Sequence, residues 1–408
     1  MRALLNPGFR ILLLGQSVSI LGTWIQGPAQ RWLVLELTGS SFAVGLLGAS
    51  AGLPLLLFSL FGGWITDRLP RIQVLLAANG VILFQALALG SLVQGGGIRL
   101  GDILVLAFLF GYSMAFEVPA RQALIFDIVG RDAVTNAVAI HSMAFNAAQF
   151  IGPAIAGYLM ESGLTAFCFY AKAASAAVVI GALVLLQRRG QFEQVQETGG
   201  SGKIRFLASL RETFAFVRAE PRVRTVLLVV TAFGVLLLPY AILLPSFCRD
   251  ALGLGPREYG ILSSANGLGA FSAATLVAIF GHKGNRDHWW WTGVFLFPLA
   301  ILALSFAPGY YLAMLLLFAT GFSMILTSTS AIGLIQISTH DALRGRLLGL
   351  FTMCFMGLFP VGSLTGGAVA AVIGIRPTLA LMGGLGLAAV IGAGLLSRRS
   401  SCPVLKRD

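Results

Sequence analysis

Charge is what this chain has least of. Of its 408 residues only 11% are charged, against roughly 25% in a soluble domain. A soluble surface of this size needs more, so a soluble enzyme, a coiled coil and a disordered chain are excluded together. Cysteine is scarce: Cys168, Cys248, Cys354 and Cys402 stand singly, with neither a disulfide framework nor metal-ligand spacing among them. Histidine is as rare, at four residues. No metal site and no cofactor is therefore expected. Long polar segments are also missing, apart from one stretch between Gln187 and Arg222.

What is there is apolar. Hydrophobic residues make up 57% of the chain, and 50 residues are Gly. Small residues let helices approach closely in lipid, and one crossing takes about 20 apolar residues. Twelve apolar segments can be placed, near 9–36, 41–66, 73–94, 102–124, 134–160, 163–187, 224–247, 258–280, 289–307, 310–334, 347–371 and 377–397. The expected fold is an all-α integral membrane protein of twelve transmembrane helices in two six-helix repeats. The expected organisation is a first bundle over 1–187, a linker over 188–223, a second bundle over 224–397 and a tail over 398–408. In the linker, Leu207, Leu210, Phe214 and Val217 recur at helical spacing. They predict an amphipathic helix, lying on the inner leaflet or packed against the bundle ends.

The net charge of +12 does not form a stripe beside aromatics, so nucleic acid is excluded as a partner. The basic residues lie between apolar blocks. Taking the N-terminus as cytoplasmic and alternating, 22 Lys and Arg fall on the cytoplasmic side and four on the other, with Arg31 and Lys172 inside spans. The positive-inside rule then places both termini in the cytoplasm, with the protein in a bacterial inner membrane.

The two halves repeat. Gly45–Leu53 aligns with Gly260–Leu268 at an offset of 215, which also carries Arg68 onto Lys283 and Arg71 onto Arg286. An offset of 209 relates Asp132 to Asp341, Phe150 to Phe359 and Gly157 to Gly366. Internal repeats of this kind mark secondary transporters, with the substrate held between the halves near mid-membrane.

One connection reads Gly63-Trp-Ile-Thr-Asp67-Arg68-Leu-Pro70-Arg71. A Gly before an Asp-Arg pair, with a further Arg after it, resembles the loop signature of the major facilitator superfamily. Pro70 replaces the usual Gly, as in the branch that includes enterobactin exporters and macrolide efflux pumps. Three further blocks resemble that branch: Phe116-Glu117-Val-Pro119-Ala-Arg121, Ile151-Gly152-Pro153-Ala-Ile-Ala-Gly157 and Asp341-Ala-Leu-Arg344-Gly-Arg346. The resemblance covers nearly the whole chain. It implies a gating latch made by Gly63, Asp67, Arg68, Arg71, Arg344 and Arg346. Gly63 would admit a neighbouring helix, and Asp67 would accept hydrogen bonds that break when the halves rock. Gly152, Pro153 and Gly157 resemble the superfamily's antiporter motif, with Ala156 in place of one Gly, and favour export. Plain positive-inside charges and tight packing are the blander readings of these blocks.

Ionisable groups inside lipid are functional candidates by default. Glu117 lies in the fourth segment, with Arg121 one turn on and His141 at similar depth in the fifth. They form either a proton-coupling network or a structural staple. Cavity candidates are Arg31, Asn146, Gln149, Tyr240, Asn266 and Thr327. Arg31 can equally snorkel, and Lys172 reads as a tie within the bundle. The second half offers few polar groups, which suits a bulky amphipathic small molecule better than a sugar or a metal ion. No nucleophile or acid–base dyad for a membrane enzyme is visible. The expectation is a monomeric secondary exporter of a drug or siderophore in the lipid bilayer, coupled to protons by rocker-switch alternating access. A lipid or lysolipid flippase and nutrient uptake are the alternatives on the same scaffold.

Overall fold

In the computed structural model, residues 2–66, 68–189, 212–213, 215–280 and 286–399 are described. They are helical nearly throughout, as lipid demands: no water is available there to satisfy backbone groups, so each helix bonds its own. The helices are α1 (Pro7–Thr38), α2 (Ser41–Thr66), α3 (Arg71–Gln94), α4 (Leu100–Gly130), α5 (131–161), α6 (Thr165–Arg188), α7 (Pro221–Ala251), α8 (Pro256–Phe280), α9 (Arg286–Ser305), α10 (Tyr310–Ile337), α11 (Leu343–Ile373) and α12 (Ile375–Arg399). Among the described residues eleven helices are long and apolar enough to cross a membrane. The twelfth segment, α5, follows α4 directly, and the two helices meet at a kink on Gly130.

Local chemistry sets the boundaries. The Asn6 side chain caps α1, accepting from the amides of Gly8 and Phe9 at 2.8 and 3.3 Å, and Pro7 fills the first position. Gly39, at φ +63, ends it with its amide on the Leu35 carbonyl. No loop divides α4 from α5, contrary to the gap expected between 124 and 134. The chain turns on Gly130 alone, at φ +69 and ψ 178, a conformation open to Gly because it lacks Cβ. In α7, Pro239 has no N–H to give to Val235, and the helix loosens to a π-turn over Phe233–Leu237. Gly362 of α11 packs against that carbonyl and against the Pro239 ring.

The two repeats are visible in the packing. A Cβ on Gly111 of α4 would strike the Ala51 carbonyl of α2, and one on Gly321 of α10 would strike the Asn266 carbonyl of α8. Ala51 and Asn266 are 215 apart in the chain, Gly111 and Gly321 are 210 apart. The first offset is that of the sequence repeat, and the second is one more than the 209 found there; it also carries Gly157 onto Gly367. The same operation exchanges the contacts between the halves. Gly45 of α2 meets Gly367 of α11, with a Cβ on Gly45 only 2.8 Å from the Gly367 Cα. Gly260 of α8 meets Gly157 of α5, with the equivalent distance 2.7 Å.

All four glycines lie toward the end of the bundle opposite the arginine-bearing 66–71 connection. We call these the far end and the basic end. One core cluster joins the two halves and includes Trp32, Leu35, Val44, Tyr240, Leu244 and Tyr259. A second cluster, around Phe9, Leu12, Leu75, Leu124, Ile128 and Leu183, is built from the first half alone and lies toward the basic end. Among the described residues, the core packing that joins the halves therefore lies toward the far end.

Candidate transport site between the halves

A charge network occupies the middle of the first half. Glu117, 3% exposed, receives both carboxylate contacts from Arg121 Nη1, at 2.9 and 3.0 Å. The four-residue spacing on one helix brings them together. The same Arg nitrogen donates to Gln16 Oε1 of α1 at 3.4 Å. Because α4 runs on to Gly130, Glu117 lies near the middle of its helix. Arg121 is likewise within the span and is not a loop charge. His141 of α5 is half-buried, and its Nε2 lacks a hydrogen-bond partner among the described residues. Lys172 of α6 is a fourth member. It is 1% exposed, and its Nζ donates to the Ser19 carbonyl, Ser19 Oγ and Thr23 Oγ1 at 3.2, 3.0 and 2.9 Å. Three donors meet three neutral oxygens, so the ammonium ties α6 to α1.

The latch residues are placed differently from one another. Asp67 and Lys283 lie outside the described residues, as do the side chains of Arg286 and Asp341. Gly63 has open space where a Cβ would sit; the close approach falls one residue earlier, at Gly62, whose Cβ would strike the Ala115 carbonyl of α4. Arg68 lays its guanidinium over the Trp64 ring, 4.0 Å from the centroid. Arg71 pairs with Asp127 near the end of α4 and donates to the Ala123 carbonyl at 3.3 Å. That pair joins α3 to α4 within one half. Asp127 was not foreseen, although an acid just before a turning Gly at the basic end is a visible signal. Arg344 donates to the Gln336 carbonyl at 3.5 Å. Arg346 pairs with Glu212 of the linker at 2.7 Å. Leu207, Leu210 and Phe214 lie outside the described residues, while Val217 and its neighbour Phe216 pack against the core.

Across the seam, Arg31 Nη1 donates to the Ala241 carbonyl of α7 at 2.7 Å and Nε to Gly27 at 3.1 Å. It bridges the halves and does not snorkel. Asn266 Nδ2 donates to the Tyr240 hydroxyl at 2.7 Å and to the Leu317 carbonyl at 3.1 Å. Gln149 is buried, and its carbonyl lies where a Cβ on Gly267 of α8 would go. Asn146 donates back to Ser142 of its own helix at 2.8 Å. Thr327 is wholly buried, bonds Ser323 of its own helix and packs on Gly293 of α9, away from the seam. Gly152 packs on Trp24 of α1, with a Cβ 2.6 Å from that residue's own, so within the antiporter-type block it is Gly157 and the Pro153 carbonyl that serve the seam. Pro153 stays within helical backbone, and its carbonyl faces Gly260. A buried amide cluster was also unforeseen. Gln26 and Gln85 exchange hydrogen bonds at 3.3 and 3.2 Å, and Gln30 lies 3.5 Å from Gln26. No group of His, Cys, Asp or Glu among the described residues could hold a metal.

Two exchanged helix pairs sealing one end of a twelve-helix bundle, with an ion pair inside one half, is the layout of a transporter. The model of the transmembrane secretion effector family matches residues 2–407. The chain belongs to that family, within the major facilitator superfamily. Among its relatives, the enterobactin exporter EntS of Shigella boydii is 27% identical over 93% of this chain and 86% of its own. The staphyloferrin A transporter of Staphylococcus aureus is 25% identical over 89% of both chains. The multidrug efflux pump Tap of Mycolicibacterium fortuitum is 25% identical over 88% of both. Solved structures share the fold. The nucleoside transporter NupG aligns with a TM-score of 0.72 at 13% identity, over 96% of this chain and 99% of that one. A bacterial homologue of the human lysosomal transporter Spinster, inward-facing and unoccupied, aligns at 0.71 and 14% identity over 96% of both. This transmembrane secretion effector is thus an integral membrane transporter.

Proposed function

We propose that the protein is a secondary active exporter of bulky amphipathic small molecules of the siderophore or drug kind, driven by proton antiport. The basic end faces the cytoplasm of a bacterial cell, in the inner membrane, with both termini on that side. Residues 1–187 and 224–397 rock as two bodies in a monomer, and the linker over 188–223 connects them. Cargo enters between the halves from the basic end, and the far-end seam opens to release it.

The observation that carries this reading is Glu117. Among the described residues it is the sole carboxylate in the middle of a span, and it is buried against Arg121. Antiport needs a group that binds a proton on one side and gives it up on the other. Protonation of Glu117 would free Arg121 from its partner, and an unpaired buried charge is costly, so the two protonation states favour different packing. His141, with a free ring nitrogen, supplies a second acceptor at hand. Two of the relatives carry export or efflux in their names, which favours that direction over uptake or lipid flipping. The test is efflux of a panel of siderophores and amphipathic drugs from cells expressing the protein, with and without an uncoupler. Uncoupler-sensitive efflux of panel members is expected. Uptake, or efflux that an uncoupler does not touch, would overturn the reading.

A further inference from the structure

The far-end seam holds a guanidinium that has no carboxylate partner among the described residues. Arg31 lies about two turns before the end of α1 and is half-buried. Its hydrogen bonds go to two neutral carbonyls, Gly27 and Ala241. A guanidinium has five N–H donors in a planar fork, so donors remain.

Polar groups without partners converge on the same place. Tyr259 is fully buried and stacks on Trp32, the neighbour of Arg31, with ring centroids 5.5 Å apart. Its hydroxyl and that of Ser263, one turn along α8, have no hydrogen-bond partner among the described residues beyond each other. The Tyr240 hydroxyl, held by Asn266, belongs to the residue before Ala241. The charge of Arg31 reaches both phenols. Buried polar groups are normally satisfied, and a set left open beside a spare guanidinium marks a place where a ligand completes it.

The charge balance indicates which ligand. Arg121 is paired with Glu117, the one carboxylate whose charge also reaches Lys172, while Arg31 has no carboxylate partner among the described residues. The middles of the spans in the second half carry no Asp, Glu, Lys, Arg or His among the described residues. The interior is net positive, which attracts an anion and repels a cation. A carboxylate also matches the fork of an Arg in two parallel bonds.

We propose that Arg31, with Tyr240, Tyr259, Ser263 and Asn266, forms the subsite that anchors cargo, and that it takes the carboxylate of an amphipathic anion. This rests on the exporter reading and narrows its substrate class. The anion competes with the Ala241 carbonyl for the same guanidinium, so its binding loosens the tie between α1 and α7 at the sealed end.

The experiment measures binding to the purified full-length protein in detergent, with no gradient, by quenching of tryptophan fluorescence. The probes are 2-naphthoate and its neutral isostere 2-naphthamide. Wild type should bind the acid about tenfold more tightly than the amide, the size of one charge-assisted bond pair. Arg31→Gln should bring the acid down to the amide and leave the amide unchanged. Arg31→Lys, which keeps the charge but not the fork, should retain part of the preference. Equal binding of acid and amide by wild type would overturn the proposal whatever the variants do. So would a preference that survives Arg31→Gln. Because binding is read without transport, absence of efflux would count against the exporter reading and not against this subsite.

Discussion

Replacing Gly260 with Ala tests the far-end seam. The new Cβ would lie 2.7 Å from the Gly157 Cα, 3.0 Å from its nitrogen and 2.5 Å from the Pro153 carbonyl. All three are backbone atoms of α5, so no side chain can turn away. Ordinary contact begins near 3.4 Å, so α5 and α8 must part by roughly 0.9 Å to clear the Pro153 carbonyl. Overpacking of this kind costs about 1–3 kcal/mol. The cost falls on the state in which the far end is sealed and vanishes where the seam is open. At 1.4 kcal/mol per tenfold, the balance should move toward the open state by about 5- to 150-fold. Spin labels at Leu164 and Tyr311, both exposed and on opposite halves at the far end, report it by pulsed electron resonance. The distance distribution should shift from short to long in Gly260→Ala. Gly45→Ala, which meets Gly367 across the equivalent pair, should shift it the same way. Gly80→Ala, where the Cβ has open space, should not. An unchanged distribution in a folded Gly260→Ala protein would refute the reasoning.

Three further outcomes follow from the first half. Arg71→Ala and Asp127→Asn should each insert normally and lose most transport, because the pair is part-exposed and worth only about 0–1 kcal/mol of stability; wild-type rates at matched protein level would contradict this. Glu117→Gln should keep cargo binding and lose pH-driven efflux, since Gln mimics the protonated acid without cycling; persistent uphill efflux would reduce Glu117 to a structural partner of Arg121. Lys172→Met removes the three bonds to Ser19 and Thr23 and should destabilise the bundle by about 1–3 kcal/mol, read as a lower melting point in detergent; an unchanged melting point would mean that the tie carries no stability.

The twelve spans and their repeat were legible because lipid allows one solution for long apolar segments and because duplication leaves a constant offset. Gly45 and Gly260, matched in sequence, take matched places in the seam. Neighbours were harder to read. A span in a membrane bundle is apolar on the lipid face and on the packed face alike, so amphipathicity does not say which helix lies against which. Gly62 and Gly63 are indistinguishable in the sequence, and only the rotation of α2 decides that Gly62 meets α4. Arg71 could have paired with any acid at the basic end, and Asp127 is 56 residues away. The partners of Lys172 are hydroxyls one turn apart on α1, which in sequence read as ordinary Ser and Thr. The Gln26–Gln85 pair was overlooked because neutral amides stand out less than charges in an apolar chain. The direct junction of α4 and α5 was missed because the polar residues around 131–136 read as a loop, whereas a single Gly suffices for the turn.

The central claim is that a proton gradient drives cargo from the basic end out through the far end. Everted vesicles from expressing cells turn that end toward the bath, so export appears as accumulation inside. With the interior made acid, a fluorescent amphipathic cargo should accumulate above its bath concentration and leak back when the pH gradient is collapsed. Accumulation that is the same with and without the gradient, or that appears only when the gradient is reversed, would contradict the account.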